Sequence, residues 1–168
     1  IIGNLAHTGN WFSNLKQDHE ILDAIFEKYA SENLLSIDAT LYQNAGANTV
    51  QQLAYALAHA NEYLNHFSVT SSAVERSLVT FKLAVGPNYF FEIAKVRALR
   101  KLYSTLAKEY GAKETCHILA IPSKRNKTLY DYNVNMLRST TECMSAILGG
   151  ADAVCNLPYD ALYHKSNE

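Results

Sequence analysis

Apolar positions in this chain alternate between short continuous runs and long stripes at helical spacing. Ile1–Leu5 is the first run and reads as the tail of a strand. Ile21, Leu22, Ile25, Phe26 and Tyr29 follow as a helical stripe, with Asp18 placed to cap its start. Leu34–Leu41 (LLSIDATL) reads as a buried strand. Asn48 then opens a helix with Val50, Leu53, Ala54, Leu57, Ala60, Leu64 and Phe67 on one face. Leu78–Val85 (LVTFKLAV) is the next strand, closed by Gly86-Pro87. Asn88 is placed to cap a third helix, whose stripe is Phe90, Ile93, Ala94, Leu102, Tyr103 and Leu106 and which ends at Gly111. Cys116–Ile121 (CHILAI) is a strand stopped by Pro122. From Asp131 a fourth helix carries Val134, Leu137, Met144, Ile147 and Leu148 to Gly149-Gly150, and Asp152–Leu157 (DAVCNL) is a last strand.

The predicted order is β-α-β-α-β-α-β-α-β, about five strands and four helices. Helices of this length between strands imply right-handed crossovers and a parallel sheet. Near-continuous apolar strands fit that, because both faces of such a sheet are covered. The fold class is α/β, and five strands do not close an eight-stranded barrel. Two architectures remain: an open doubly wound sheet, or the later part of a (β/α)8 barrel. No linker or low-complexity segment interrupts the chain, so residues 1–168 read as one domain.

Composition narrows the function classes. Fifteen basic against sixteen acidic residues, with no basic block, argue against nucleic acid as a partner. No apolar run reaches the ~20 residues that span a bilayer, so no membrane is expected either. Cys116, Cys143 and Cys155 lack metal or disulfide spacing, which suits a reducing cytoplasm. The chain opens on Ile1-Ile2 with neither initiator Met nor signal sequence, as a piece cut from a longer protein would.

In parallel α/β folds chemistry lies at the C-terminal ends of strands and in the loops beyond. Four stretches qualify: Asn4–Trp11, Thr40–Asn48, Gly86–Tyr89 and Pro122–Asp131. In the second, Tyr42, Gln43, Asn44 and Gly46 precede a helix N-terminus, where backbone N–H groups could receive a carboxylate, thioester oxygen or phosphate. Equally, Asn48 caps the helix and Gly46 turns the chain. Lys124, Arg125 and Lys127 form a short basic loop suited to a phosphate, or simply a solvated one. Lys95, Arg97, Arg100 and Lys101 could face an anion at the mouth or form the polar side of a helix. Lys82 within a strand needs a counter-charge or an exit to water. Glu62 and His66 share a helix face without a visible third ligand, so no metal is expected. His7 is a better functional candidate than His19 or His59. No dinucleotide, phosphate-loop or nucleophile-elbow motif is present.

Three segments resemble methylmalonyl-CoA mutases, the coenzyme-B12-dependent isomerases that interconvert methylmalonyl-CoA and succinyl-CoA. The first is Asp38-Ala39-Thr40-Leu41-Tyr42-Gln43-Asn44-Ala45-Gly46-Ala47-Asn48, with Val50-Gln51-Gln52-Leu53-Ala54 and Asn61-Glu62-Tyr63-Leu64 after it. The second, and most specific, is Gly86-Pro87-Asn88-Tyr89-Phe90-Phe91-Glu92-Ile93-Ala94-Lys95-Val96-Arg97-Ala98. The third is Tyr130-Asp131-Tyr132-Asn133-Val134-Asn135 with Leu137-Arg138-Ser139-Thr140-Thr141-Glu142 and Gly149-Gly150-Ala151-Asp152-Ala153. The resemblance implies the later strands of a (β/α)8 barrel that threads acyl-CoA along its axis. A separate cobalamin domain with an Asp-x-His-x-x-Gly motif would follow in the family. These 168 residues hold no such motif, so the expectation is that this chain binds no cofactor alone and that adenosylcobalamin belongs to the whole enzyme.

The departures from the family pattern carry the functional expectation. Catalytic subunits read Gly-Tyr-His-Met-Gln-Glu-Ala-Gly-Ala at the first segment, where the Tyr–His pair grips the thioester and the Glu faces the corrin. By residue match these positions are Thr40, Leu41 and Asn44; Tyr42 is out of place to substitute. A His-Cys-Gln-Thr stretch lining the substrate site falls on Leu119, Ala120, Ile121 and Pro122, which removes hydrogen bonds that would position a carbonyl. The resemblance is therefore to the small, non-catalytic subunit, with no catalytic residues, whose partner is the large catalytic subunit of a heterodimer. Tyr42, Gln43, Arg97, Lys124 and Arg125 remain candidate anion or acyl-CoA contacts. Alternatives are a competent acyl-CoA mutase chain and a stand-alone anion-binding module. A partial barrel with open edges is also expected to self-associate.

Overall fold

A computed structural model describes residues 2–29, 33–70 and 78–162. Its elements are α1 (Ile2–Thr8), α2 (Leu15–Lys28), β1 (Ser36–Asp38), α3 (Thr40–Asn44), α4 (Thr49–Thr70), β2 (Val79–Val85), α5 (Tyr89–Glu109), β3 (Cys116–Pro122), α6 (Val134–Gly149) and β4 (Ala153–Val154). The four strands form one parallel sheet in the order β1-β2-β3-β4. Strand order without reversal is the topology of successive units of a (β/α)8 barrel. A doubly wound sheet reverses direction at a switch point, and this one does not.

The expected strand over Ile1–Leu5 is not one. Ile1 lies outside the described residues, and Ile2–Thr8 is helical, closed by Gly9 at φ 76° with its N–H on the Leu5 carbonyl at 2.8 Å. A short apolar run does not by itself distinguish strand from helix. The Leu34–Leu41 strand shrinks to three residues for a local reason. Asp38 Oδ1 accepts from the Thr40 N–H (3.0 Å) and from Thr40 Oγ1 (2.5 Å), which turns the chain out of the sheet and into α3.

Caps also differ from expectation. Asn14, not Asp18, caps α2, accepting from the Gln17 N–H at 2.9 Å. Asp18 is buried instead, and its carboxylate accepts from the amides of Phe12 (3.0 Å) and Ser13 (3.1 Å). Asn88 sits at the start of α5 but makes no side-chain cap bond. Asn48 does cap α4, reciprocally with Gln51, each side chain accepting from the other's amide at 2.9 Å.

One face of the sheet carries the core. Ile37, Val79, Phe81, Leu83, Cys116 and Ile118 pack against Ala56, Ala60, Leu64 and Phe67 of α4 and Val96, Leu99 and Tyr103 of α5. The opposite face is only half-covered at Thr80, Lys82, His117, Leu119 and Ile121. Lys82 is on a central strand rather than an edge. Its register partners are Asp38 on one side and Leu119 on the other, so the lysine stands beside a carboxylate on the less covered face.

The stripes expected for the last two helices are rotated. Helix α5 buries Glu92, Lys95, Val96, Leu99, Tyr103 and Ala107, and leaves Phe90 and Phe91 exposed. Helix α6 inverts the expectation. It buries Asn135, Ser139, Glu142, Ser145, Ala146 and Gly149, while Leu137, Met144, Ile147 and Leu148 face outward.

Candidate functional site

The C-terminal ends of β1, β2 and β3 surround a cleft of about 400 Å³. Its floor is polar, buried and internally paired. Gln43, from α3, accepts from the hydroxyl of Ser123 just past β3 at 2.7 Å, and both residues are buried. Gly86, after β2, is required by close approach: a Cβ there would lie 3.0 Å from Gln43 Nε2 and 3.4 Å from Glu92 Oε1. Behind it the ammonium of Lys95 donates to Gln52 Oε1 (2.8 Å) and the Ala84 carbonyl (2.7 Å), and pairs with Glu92 Oε2 at 2.5 Å. Burial lowers the Lys95 pKa, and the Glu92 carboxylate opposes that.

A second buried pair supports the far wall. Glu142, on the inward face of α6, takes the Lys127 ammonium at 2.5 Å and the Asn126 side-chain amide at 2.6 Å. Burial pushes the Glu142 carboxyl above the usual range, against the pull of those two groups. Lys127 is therefore not the free loop cation its sequence neighbourhood suggests; its side chain is 4% exposed. Lys124 and Arg125 are exposed. Arg125 lines the cleft, with its guanidinium 3.8 Å from where a Cβ on Gly46 would stand. The Lys124 amide donates to Asn44 Oδ1 at 3.2 Å.

The remaining candidates separate. Thr40, Leu41 and Asn44 line a different cleft of about 490 Å³, together with Asn4, His7, Phe12 and Asp38. Leu119 and Ile121 lie half-buried on the less covered sheet face. Tyr42 turns to α4: its hydroxyl is 2.6 Å from His59 Nε2 and its ring is 4.6 Å from that of Tyr55. Burial raises the Tyr42 pKa and lowers that of His59. Arg97 donates to the Leu148 carbonyl at 3.1 Å, beside Arg100, which reaches the carbonyls of Gly150 and Cys116. Cys116 begins β3, so this pair works near the opposite end of the sheet from the cleft. Of the five candidate contacts, Gln43 and Arg125 line the cleft; Lys124 is exposed next to Arg125 without lining it, and Tyr42 and Arg97 lie elsewhere.

His66 meets Asp23 of α2 at 2.8 Å and stacks on His19 with ring centroids 4.6 Å apart. Among the described residues no group of three or more His, Cys, Asp or Glu is placed to hold a metal ion. No described helix is long and apolar enough to cross a membrane.

The family model for methylmalonyl-CoA mutase matches residues 1–168. The chain belongs to the methylmalonyl-CoA mutase family. It is 37% identical over 161 residues to a methylmalonyl-CoA mutase small subunit of Porphyromonas gingivalis, covering 92% of this chain and 26% of the relative. A small subunit from Streptomyces virginiae is 35% identical, over 95% of this chain and 26% of its own length. A methylmalonyl-CoA mutase of Cereibacter sphaeroides is 31% identical over 80% of this chain and 20% of its own length. The chain thus spans about a quarter of the length of the mutase small subunits it matches.

Membership explains which residues the motifs serve. Gln43, Gln52, Glu92, Lys95, Asn135, Ser139 and Glu142 all lie in the mutase-like segments, and all are buried. They are scaffold for the cleft, and reading the segments only for ligand groups misses them. The available signal was the spacing: Glu92 and Lys95 at i,i+3, and Asn135, Ser139 and Glu142 on one helical face. Asn44, where the resemblance implies a carboxylate facing a corrin, has its side-chain oxygen taken by the Lys124 amide at 3.2 Å.

Proposed function

We propose that this chain is a stretch of partial barrel, residues 1–168, from the small, non-catalytic subunit of an adenosylcobalamin-dependent methylmalonyl-CoA mutase, and that it works by pairing with the large catalytic subunit in a cytoplasmic heterodimer. The small-subunit relatives support this reading. The observation that carries it is the state of the thioester-gripping positions. Thr40 has its hydroxyl on Asp38, and Leu41, Leu119 and Ile121 have no polar side-chain atom. These four positions therefore offer no free donor to hold and polarise a carbonyl oxygen, and radical rearrangement depends on that positioning.

Titration of the chain with methylmalonyl-CoA and adenosylcobalamin tests the reading. Neither ligand ordering at Leu41 and Ile121 is the expected result; tight binding of both would show a competent mutase chain. A narrower contact is compatible with the subunit role. Gln43 and Arg125 line the other cleft, where the exposed guanidinium suits a phosphate or the anionic tail of an acyl-CoA. The isolated chain is expected to self-associate through the open edges of β1 and β4, the outer strands of its sheet. A concentration-independent monomer in size-exclusion chromatography would refute that.

A further inference from the structure

Residues 123–128 are held from both sides. Toward α3, Ser123 and Lys124 bond to Gln43 and Asn44. Toward α6, the grip comes from one polar stripe. Asn135 accepts from the Thr128 N–H at 3.0 Å and donates to the Thr128 carbonyl at 2.8 Å, Arg138 donates to the Asn126 carbonyl, and Glu142 takes Lys127 and Asn126. This stripe is the reason α6 turns its polar side inward. Arg125 sits in the middle of the held segment, exposed, and among the described residues it forms no ion pair with a carboxylate. Its backbone is fixed by an N–H bond to Ser123 Oγ at 3.2 Å, and its guanidinium faces Gly46 ahead of α4.

We infer that Asn135, Arg138 and Glu142 are positioning residues, which hold the 123–128 loop so that Arg125 stands ready over the cleft for a phosphate-class anion. The inference rests on the anion contact proposed above. An arginine on a slack loop would lose side-chain and backbone freedom on binding; one on a clamped loop has lost the backbone part already. Glu142 supplies the strongest hold, through a pair buried on both sides. Arg138 supplies a hold whose removal leaves no buried carboxylate behind.

The test uses the full chain, titrated calorimetrically with inorganic phosphate and separately with CoA, alongside amide hydrogen exchange. Arg125→Ala should weaken binding roughly tenfold or more, as loss of a charge-assisted hydrogen bond does. Glu142→Gln and Arg138→Ala should each weaken it about threefold or more and speed exchange in residues 124–128, with α5 amides exchanging as in the parent. Binding of CoA but not phosphate would assign the site to a CoA tail; binding of both, to phosphate in general. If the parent binds neither, or Arg125→Ala binds as the parent does, the anion reading falls and the inference with it. If Arg125→Ala loses binding while Glu142→Gln and Arg138→Ala keep parental affinity and exchange, the anion reading stands and the positioning role is refuted. Should Glu142→Gln fail to fold, Arg138→Ala decides.

Discussion

Replacing Lys95 with methionine should be among the most damaging single changes in this chain. The ammonium is fully buried, and its three donors meet Glu92 Oε2, Gln52 Oε1 and the Ala84 carbonyl at 2.5, 2.8 and 2.7 Å. Methionine fills similar volume but leaves a buried carboxylate without a counter-charge and two further acceptors without a donor. Removing one member of such a pair costs about 3–5 kcal/mol. For a chain of this size that corresponds to a fall in Tm of roughly 6–20 °C. Urea unfolding followed by circular dichroism measures it. The double variant Lys95→Met, Glu92→Leu removes the stranded charge and should lose about 1 kcal/mol or more less than the two single losses added. There is also a pH signature. Burial lowers the Lys95 pKa in the folded chain, so on raising the pH the folded state releases this proton before the unfolded state does. Stability contributed by this group therefore rises with pH in the window below the ordinary lysine value of about 10.4, and Lys95→Met should lack the rise. A Lys95→Met chain within about 1 kcal/mol of the parent would refute the claim that this pair holds up the cleft.

Four smaller changes probe other parts of the fold. Hydrogen bonds from the Ile118 amide and Arg100 hold the Asp152 carboxyl below its usual range despite the opposing effect of burial. Its contribution is present above about pH 4 and is lost as pH falls through the folded value, so Asp152→Asn should flatten the acid limb of the stability profile. Gly150 ends α6 at φ 87° with open space around its missing Cβ. Gly150→Ala should cost about 1–2 kcal/mol from backbone strain alone, readable as a lower urea midpoint with unchanged slope. At Gly149 a Cβ would lie 3.0 Å from Val96 Cβ and 3.4 Å from Ile93 Cα, so Gly149→Ala should cost about 1–3 kcal/mol by wedging α5 from α6. Asn48→Ala breaks the reciprocal cap with Gln51 and should lower stability by about 1 kcal/mol in the same assay.

The alternation of strands and helices from residue 34 onward was legible because β2, α5, β3 and α6 are long and bounded by Gly, Pro and Asn. Which face of each helix turns inward was not. An apolar stripe identifies the core side only when the core is uniformly apolar, and here the top of the sheet is a polar network. Glu142 and Lys127 pair across 15 residues and Lys95 and Gln52 across 43, so neither partner is visible from the other's local sequence. The same holds for Arg97. Its position early in α5 is compatible with the cleft, and only the packing of α6 sends it to the Leu148 carbonyl. Thr40 and Leu41, read as the end of a strand, lie past β1 instead, and the turn made by Asp38 puts them on a separate cleft from Arg125.

The outward turn of α6 has a chemical consequence. The chain contains two methionines, Met136 and Met144, and both lie on that outward face with about half of each side chain reachable, at 48% and 49%. Mild peroxide would convert these thioethers to sulfoxides, so residue-level mass mapping, which separates them from the free thiols of Cys143 and Cys155, reports on this face of the helix. Slower conversion in the presence of any added protein would show that the patch is occupied, without a label having to be introduced.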